Sequence, residues 1–137
     1  MVTMRTNLPD YIKEAARTPY IAYNGIELIS YSDGFCNGRI KIESHHKNLH
    51  GSVHGGCVYS LADTIASYAA MTEGTVVTTL NSAFNYLHPA VDTEYLYCEG
   101  KIIKSGKTVT VVRVELFDDN KKLLADGSFS CYNLRQR

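Results

Sequence analysis

Apolar and polar positions change their period several times along this 137-residue chain, and each change marks an element. Leu8, Ile12, Ala15 and Ala16 share one face at helical spacing, which predicts a short amphipathic helix over about 8–17. Pro9 and Asp10 suit its start, and Pro19 lies just beyond its end. Strand-like runs follow at 26–32 and 35–43, joined by Asp33-Gly34, a strong hairpin signal. In the second run Ile40 and Ile42 alternate with Arg39, Lys41 and Glu43, so one face is wet. Residues 44–52 are polar, are broken by Gly51 and read as loop.

The longest helical stretch covers about 55–71. Val58, Leu61, Ala62, Ile65, Ala66 and Ala69 recur at helical spacing and few positions are charged, so this helix is expected to be buried on most sides. Its many small residues let other backbones approach closely. After Gly74 come four runs rich in Val, Thr, Tyr, Phe and Ile, at 76–88, 94–104, 108–117 and 123–133, separated by turn-type segments. Helix, two strands, long buried helix and four strands together predict an α+β domain in which a mostly antiparallel sheet wraps one helix. The sheet's other face carries enough Tyr and Val for another subunit to bury part of it.

Composition narrows the function classes. The length gives one domain, 1–137. An apolar fraction of 45% and a charged fraction of 20% are ordinary for a soluble protein. The formal net charge of zero argues against nucleic acid as a partner and permits self-association. Cys36, Cys57, Cys98 and Cys131 are scattered without a CxxC pair and read as reduced, mostly buried thiols. The polar start has no apolar leader, and no run approaches the ~20 residues of a membrane span. A cytoplasmic protein is expected.

The chemistry concentrates around the start of the long helix. Gly55 and Gly56 fall where the first N–H groups lack internal partners and the macrodipole is positive. Two residues without side chains let a carbonyl oxygen approach those N–H groups as it becomes an oxyanion; alternatively, the pair is a flexible helix entry. Asp63 lies inside the apolar helix, where Asp is disfavoured and an unpaired buried carboxylate is costly. It is either an exposed residue on a wet stripe with Ser60 and Ser67, or a nucleophile or general base. Gly56 and Asp63 share a face but stand ~10 Å apart along the axis. Reacting groups must meet within ~3–3.5 Å. If both act on one carbonyl, they come from two antiparallel copies of the helix, and the site lies between subunits.

The pattern Asn48-x-x-Gly51-x-x-His54-Gly55-Gly56, followed by Leu61-Ala62-Asp63, resembles the hotdog-fold thioesterases of the phenylacetic-acid-degradation (PaaI-like) group. The likeness runs from about Tyr23 to Leu134. It includes Asn85-Tyr86-Leu87-His88-Pro89-Ala90, the turn at Ser105-Gly106-Lys107, and Ala125-Asp126-Gly127. It implies a hotdog fold, a homodimer or dimer of dimers with active sites at the dimer interface, and hydrolysis of acyl-CoA without metal or other cofactor. By position, Asp63 matches the catalytic carboxylate, the N–H at Gly55 or Gly56 the oxyanion donor, and Asn48 the side chain that orients the thioester. His54 matches a supporting residue, and Thr79, with Thr78 beside it, a group that positions water. Strand register decides which threonine faces the helix. Lys104, Ser105, Gly106, Lys107 and Arg113 are candidates for the CoA phosphates, or ordinary surface groups.

Three other readings compete with this one. His45, His46, His50 and His54 cluster, yet Gly51 breaks a helical His50/His54 pair and no acidic or Cys ligand stands at a usual spacing for a metal. A non-catalytic acyl-CoA-binding hotdog module is the main alternative. A hydratase would want a different Asp/His arrangement. Tyr59, Tyr68, Phe84 and Tyr86 line an acyl pocket or belong to the core.

Overall fold

The computed structural model describes residues 10–136. Two short helices, α1 (Asp10–Ala16) and α2 (Pro19–Asn24), lead into the hairpin β1 (Ile26–Ser32) and β2 (Phe35–Lys41). A 3₁₀ turn at Ser44–His46 precedes the long helix α3 (Gly55–Met71). Four strands complete the chain: β3 (Thr75–Tyr86), β4 (Tyr95–Ser105), β5 (Val109–Phe117) and β6 (Leu123–Gln136). All pairings are antiparallel, in the order β1-β2-β4-β5-β6-β3. This is the hotdog fold, an antiparallel sheet wrapped around one helix.

The expected helix start at Leu8 and Pro9 lies outside the described residues. Pro19, read from sequence as a stop, instead opens α2 at its first turn, where a missing N–H is harmless. That second helix was not foreseen.

The core follows from the helix pattern. Val58, Leu61, Ala62, Ile65, Ala66 and Ala69 of α3 are buried against Ile40, Leu96, Cys98, Val112, Val114 and Phe129 of the sheet. Full burial of each large side chain contributes roughly 1.5–3 kcal/mol. Close packing also constrains the sheet: a Cβ at Gly38 would lie 2.6 Å from Ile65 Cδ1 and 2.6 Å from the Glu27 carbonyl oxygen. Only glycine lets β2 pass there. One flank of α3 stays partly open, formed by Ser60, Asp63, Thr64 and Ser67. That flank runs beside β3, which stands at the end of the sheet.

β3 carries a bulge that matters for the site. Thr79 pairs with Cys131 and Asn81 with Ser130, so Leu80 is an extra residue. Side chains on a strand alternate between faces, and one inserted residue reverses the parity. Ahead of the bulge, Thr75 is buried, Val77 packs on the core and Thr79 reaches α3. Beyond it, Ser82 bonds Tyr59 of α3 and Phe84 packs inward. Without Leu80, Thr79 and Ser82 could not both face the helix.

Candidate active site

Asp63 is half-buried on the open flank of α3. Thr79 Oγ1 donates a hydrogen bond to its Oδ1 at 2.7 Å. The threonine thereby fixes one carboxylate oxygen and leaves Oδ2 for other chemistry. Cys131 lies behind this pair on β6; burial first, and then the charge of Asp63, push its thiol up to about 11. Thr78, the other candidate, is exposed and does not join this contact.

The N-terminus of α3 differs from the sequence expectation in one respect. His54 is its cap: its Nδ1 accepts the Gly56 N–H at 2.8 Å. A Cβ at Gly56 would come within 3.1 Å of that nitrogen, tighter than ordinary contact, so a side chain there would press on the ring. The Gly56 donor is therefore engaged within the chain. Among the described residues no acceptor meets the Gly55 N–H, so Gly55 is the donor available at this helix end. Tyr86, from the end of β3, donates its hydroxyl to the Gly55 carbonyl at 3.0 Å, and its ring lies over Gly55. Burial, then the neighbouring Tyr59, raises the Tyr86 phenol above its ordinary pKa.

Asn48 closes the preceding loop. Its amide donates to Ser52 Oγ at 2.9 Å, and its Oδ1 accepts from the N–H groups of His50 (2.9 Å) and Ser52 (3.2 Å). One amide hydrogen is left over. Asn48 and Gly55 line a common cavity, so the chain brings these two candidates together. Asp63 does not join them. Eight residues along α3 separate it from Gly55, about 12 Å at 1.5 Å per residue.

The remaining candidates are dispersed. Lys104, Ser105, Gly106 and Lys107 form the β4–β5 turn at the other end of α3, where Ser105 Oγ donates to the Glu73 carboxylate. Asn133 Nδ2 bonds the Gly106 carbonyl at 2.8 Å and stiffens the turn. Arg113 pairs with Asp126 at 2.8 Å and is not a free cation. The histidine cluster has structural duties. His46 is buried, with Nδ1 accepting the Glu43 N–H and Nε2 bonded to the Asn24 carbonyl, and the His45 ring stacks at 4.0 Å. Among the described residues no three His, Cys, Asp or Glu side chains converge on a metal site.

Sequence reasoning did not find the His54 cap, the Tyr86–Gly55 bond or the Tyr59–Ser82 contact. Tyr59 and Phe84, open in sequence as pocket or core, pack edge-on to each other and against Phe129 at 5.4 and 6.1 Å. They belong to the core.

Known proteins resemble this chain in sequence and fold. Residues 50–125 match the model of the thioesterase superfamily. Acyl-coenzyme A thioesterase 13 of Mus musculus is 30% identical over 132 residues, 93% of this chain and 94% of that protein. Acyl-coenzyme A thioesterase PaaI of Escherichia coli is 29% identical over 101 residues, 74% of this chain and 72% of that one. The solved E. coli PaaI structure superposes with a TM-score of 0.85 over 90% of both chains, at 23% identity. A hypothetical thioesterase of Streptococcus pneumoniae, solved with coenzyme A, gives a TM-score of 0.77 at 26% identity over 82% of this chain and 88% of that one.

Proposed function

The chain belongs to the thioesterase superfamily, and from that premise we propose that it hydrolyses acyl-CoA thioesters at sites shared between two copies of the chain. The observation that carries this reading is the half-buried Asp63 carboxylate, held through one oxygen by Thr79 on an edge strand. An edge of twelve residues is long for a monomer to leave unpaired. Pairing β3 with β3 of a second copy about a two-fold axis sets the α3 helices antiparallel. Asp63 of one copy then approaches Gly55 of the other, which a single helix cannot achieve.

The chemistry needs little more. The Gly55 N–H, on the positive end of α3, receives the thioester oxygen as it gains charge. Asp63 of the other copy acts through Oδ2, attacking the carbonyl carbon or taking a proton from the attacking water. The C–S bond breaks, and coenzyme A leaves as thiolate and takes a proton from solvent; with water as the attacking group the free acid forms directly, whereas after attack by Asp63 a water molecule must then split the resulting anhydride to release the acid and restore the carboxylate. The spare Asn48 amide hydrogen is a second donor near Gly55. In the antiparallel pair, the Lys104–Lys107 turn of the copy that supplies Asp63 lies beyond the other copy's Gly55. It is then placed to meet the phosphates of coenzyme A.

The test is thiol release from short, medium, long and aromatic acyl-CoAs, with wild type and Asp63→Ala side by side. Turnover that disappears in the variant, with the oligomer intact, supports the reading. Acyl-CoA binding without turnover of any member would replace it with a non-catalytic binding module.

A further inference from the structure

Tyr86 is the last residue of β3 and is 57% exposed. Its hydroxyl nonetheless has a fixed partner, the Gly55 carbonyl at 3.0 Å, to which it donates. We infer that Tyr86 is a positioning residue for the reaction: its hydroxyl fixes the first peptide plane of α3, and with it the direction of the Gly55 N–H, the oxyanion donor proposed above. The inference rests on the thioesterase reading.

The backbone needs such a hold at this point. Gly55 and Gly56 are consecutive glycines, with the widest backbone freedom of any residue, in the turn where the helix ladder is incomplete. The His54 N–H is bound to the His46 carbonyl at 2.8 Å, and the His54 carbonyl accepts from Cys57 at 2.9 Å and Val58 at 3.1 Å. The next peptide, between Gly55 and Gly56, is gripped at both ends by side chains. His54 Nδ1 takes its N–H at 2.8 Å, and Tyr86 holds its carbonyl. A carbonyl oxygen has two lone pairs, so Gly55 accepts this hydroxyl without leaving the helix ladder. The Gly55 Cα is the hinge between that plane and the N–H that faces the site. Freed at one end, the plane rocks about the hinge, and a hydrogen bond weakens steeply as its donor swings out of line.

Packing alone does not call for a tyrosine here. The ring stands edge-on to Phe84 at 5.0 Å, on the rim of the core, and phenylalanine would make that contact equally well. The hydroxyl is the part that phenylalanine lacks. Burial, then the neighbouring Tyr59, raises its pKa, so it remains a donor. Its place on β3 also matters. Thr79, which holds Asp63, stands on the same strand, and the bulge at Leu80 turns both side chains toward α3. One edge strand thus holds the carboxylate end and the donor end of the chemistry. In the proposed pair of chains the other copy stands against this edge, and a hydrogen bond sheltered from water is stronger than an open one.

The experiment is steady-state kinetics of wild type, Tyr86→Phe and Asp63→Asn on an acyl-CoA that the wild type turns over, with Tm and oligomeric state measured alongside. Tyr86→Phe should lower kcat about five- to tenfold, with KM, Tm and the oligomer close to wild type. An unchanged kcat overturns the inference. So does a loss that falls on KM, which would make the hydroxyl a substrate contact. Mixed dimers of Tyr86→Phe with Asp63→Asn, isolated by a different tag on each, locate the effect. Their one competent site joins Asp63 of the first copy to the unaltered Gly55 and Tyr86 of the second. It should run at the wild-type rate, giving about half of wild-type activity per dimer. A competent site that keeps the reduced rate would mean that the hydroxyl does not act through Gly55, and the inference falls. If the wild type hydrolyses no acyl-CoA, or Asp63→Asn keeps wild-type turnover, the thioesterase reading fails and takes the role of Tyr86 with it. If Asp63→Asn is inactive and Tyr86→Phe has wild-type kcat, the reading stands and this inference alone falls.

Discussion

Thr79 Oγ1 lies 2.7 Å from Asp63 Oδ1 and donates to it, tying the open flank of the central helix to the edge strand of the sheet. The contact exists because Leu80 is an inserted residue, which lets Thr79 and Ser82 both face α3. A bulge here re-aims a side chain that regular alternation would turn away. The bond also bears on the role proposed for Asp63: with Oδ1 held, Oδ2 is the oxygen left to act.

Thr79→Val should therefore lower kcat with little change in KM, because it frees the carboxylate without touching the acyl or CoA contacts. Losing one hydrogen bond of about 1–1.5 kcal/mol in the reacting geometry corresponds to roughly a tenfold fall. Thr79→Ser keeps the hydroxyl and should restore most of it. Steady-state kinetics on the three proteins checks this. A Thr79→Val enzyme with wild-type kcat would mean that the bond is only structural.

His54→Ala should destabilise the protein by about 0.5–2 kcal/mol, the range for loss of a helix cap. The ring nitrogen that holds the Gly56 N–H would be gone. His54→Asn offers a shorter acceptor at the same position and should recover part of the loss. Urea unfolding of the three proteins measures it, and equal stability of His54→Ala and wild type would remove His54 from the capping role.

Much of the fold is legible in the chain. The six strands and the buried helix follow from period and turn residues, and Asp33-Gly34 marks the β1–β2 hairpin. Asp63 stands out because a carboxylate in an apolar helix needs a reason, and the structure puts it on the half-open flank with Ser60 and Ser67, as the alternative reading had it. The arrangement around it was not. Choosing Thr79 over Thr78 needs the strand register, and the bulge at Leu80 is set by tertiary pairing rather than local preference. Arg113 looked like a free cation because its partner Asp126 stands on the neighbouring strand. Asn48 matched a thioester-orienting residue, yet three of its bonds close its own loop. Pro19 carries a stop signal and a start signal alike, and only packing decides between them.

Asp119 gives the structure a measurable acid dependence away from the site. Its carboxylate accepts the N–H groups of Glu94 at 2.6 Å and Tyr95 at 3.2 Å, pinning the β5–β6 loop to the start of β4. The Glu94 bond leads in holding its pKa below the ordinary 3.8. A group depressed on folding contributes stability that is fully present above its unfolded pKa and is lost as pH falls through the folded one. Asp119→Asn should thus lower Tm well above pH 3.8, and the gap to wild type should close below it. A gap that is constant across that range would show that the carboxylate charge contributes nothing there.

The proposed shared site is open to a direct genetic test, because it puts the two halves of the chemistry on different copies. Gly55 is the first helical residue, the position where proline is best tolerated. His54, with φ −59° and ψ 136°, already has the backbone that a residue before proline adopts. Gly55→Pro therefore removes the proposed oxyanion donor while leaving the helix start nearly unstrained, and it should yield a folded but inactive protein. Asp63→Asn should also be inactive, with a fall of about 10²–10⁴-fold for loss of the reacting carboxylate. When the two are unfolded together and refolded at equal amounts, half the dimers are mixed. Each mixed dimer has one site with both defects and one with neither. About a quarter of wild-type activity should return under two-fold symmetry. Exchange is confirmed separately by a tag on one variant. Verified mixed dimers without activity would mean that Gly55 and Asp63 serve the same chain, and the interfacial site would be wrong.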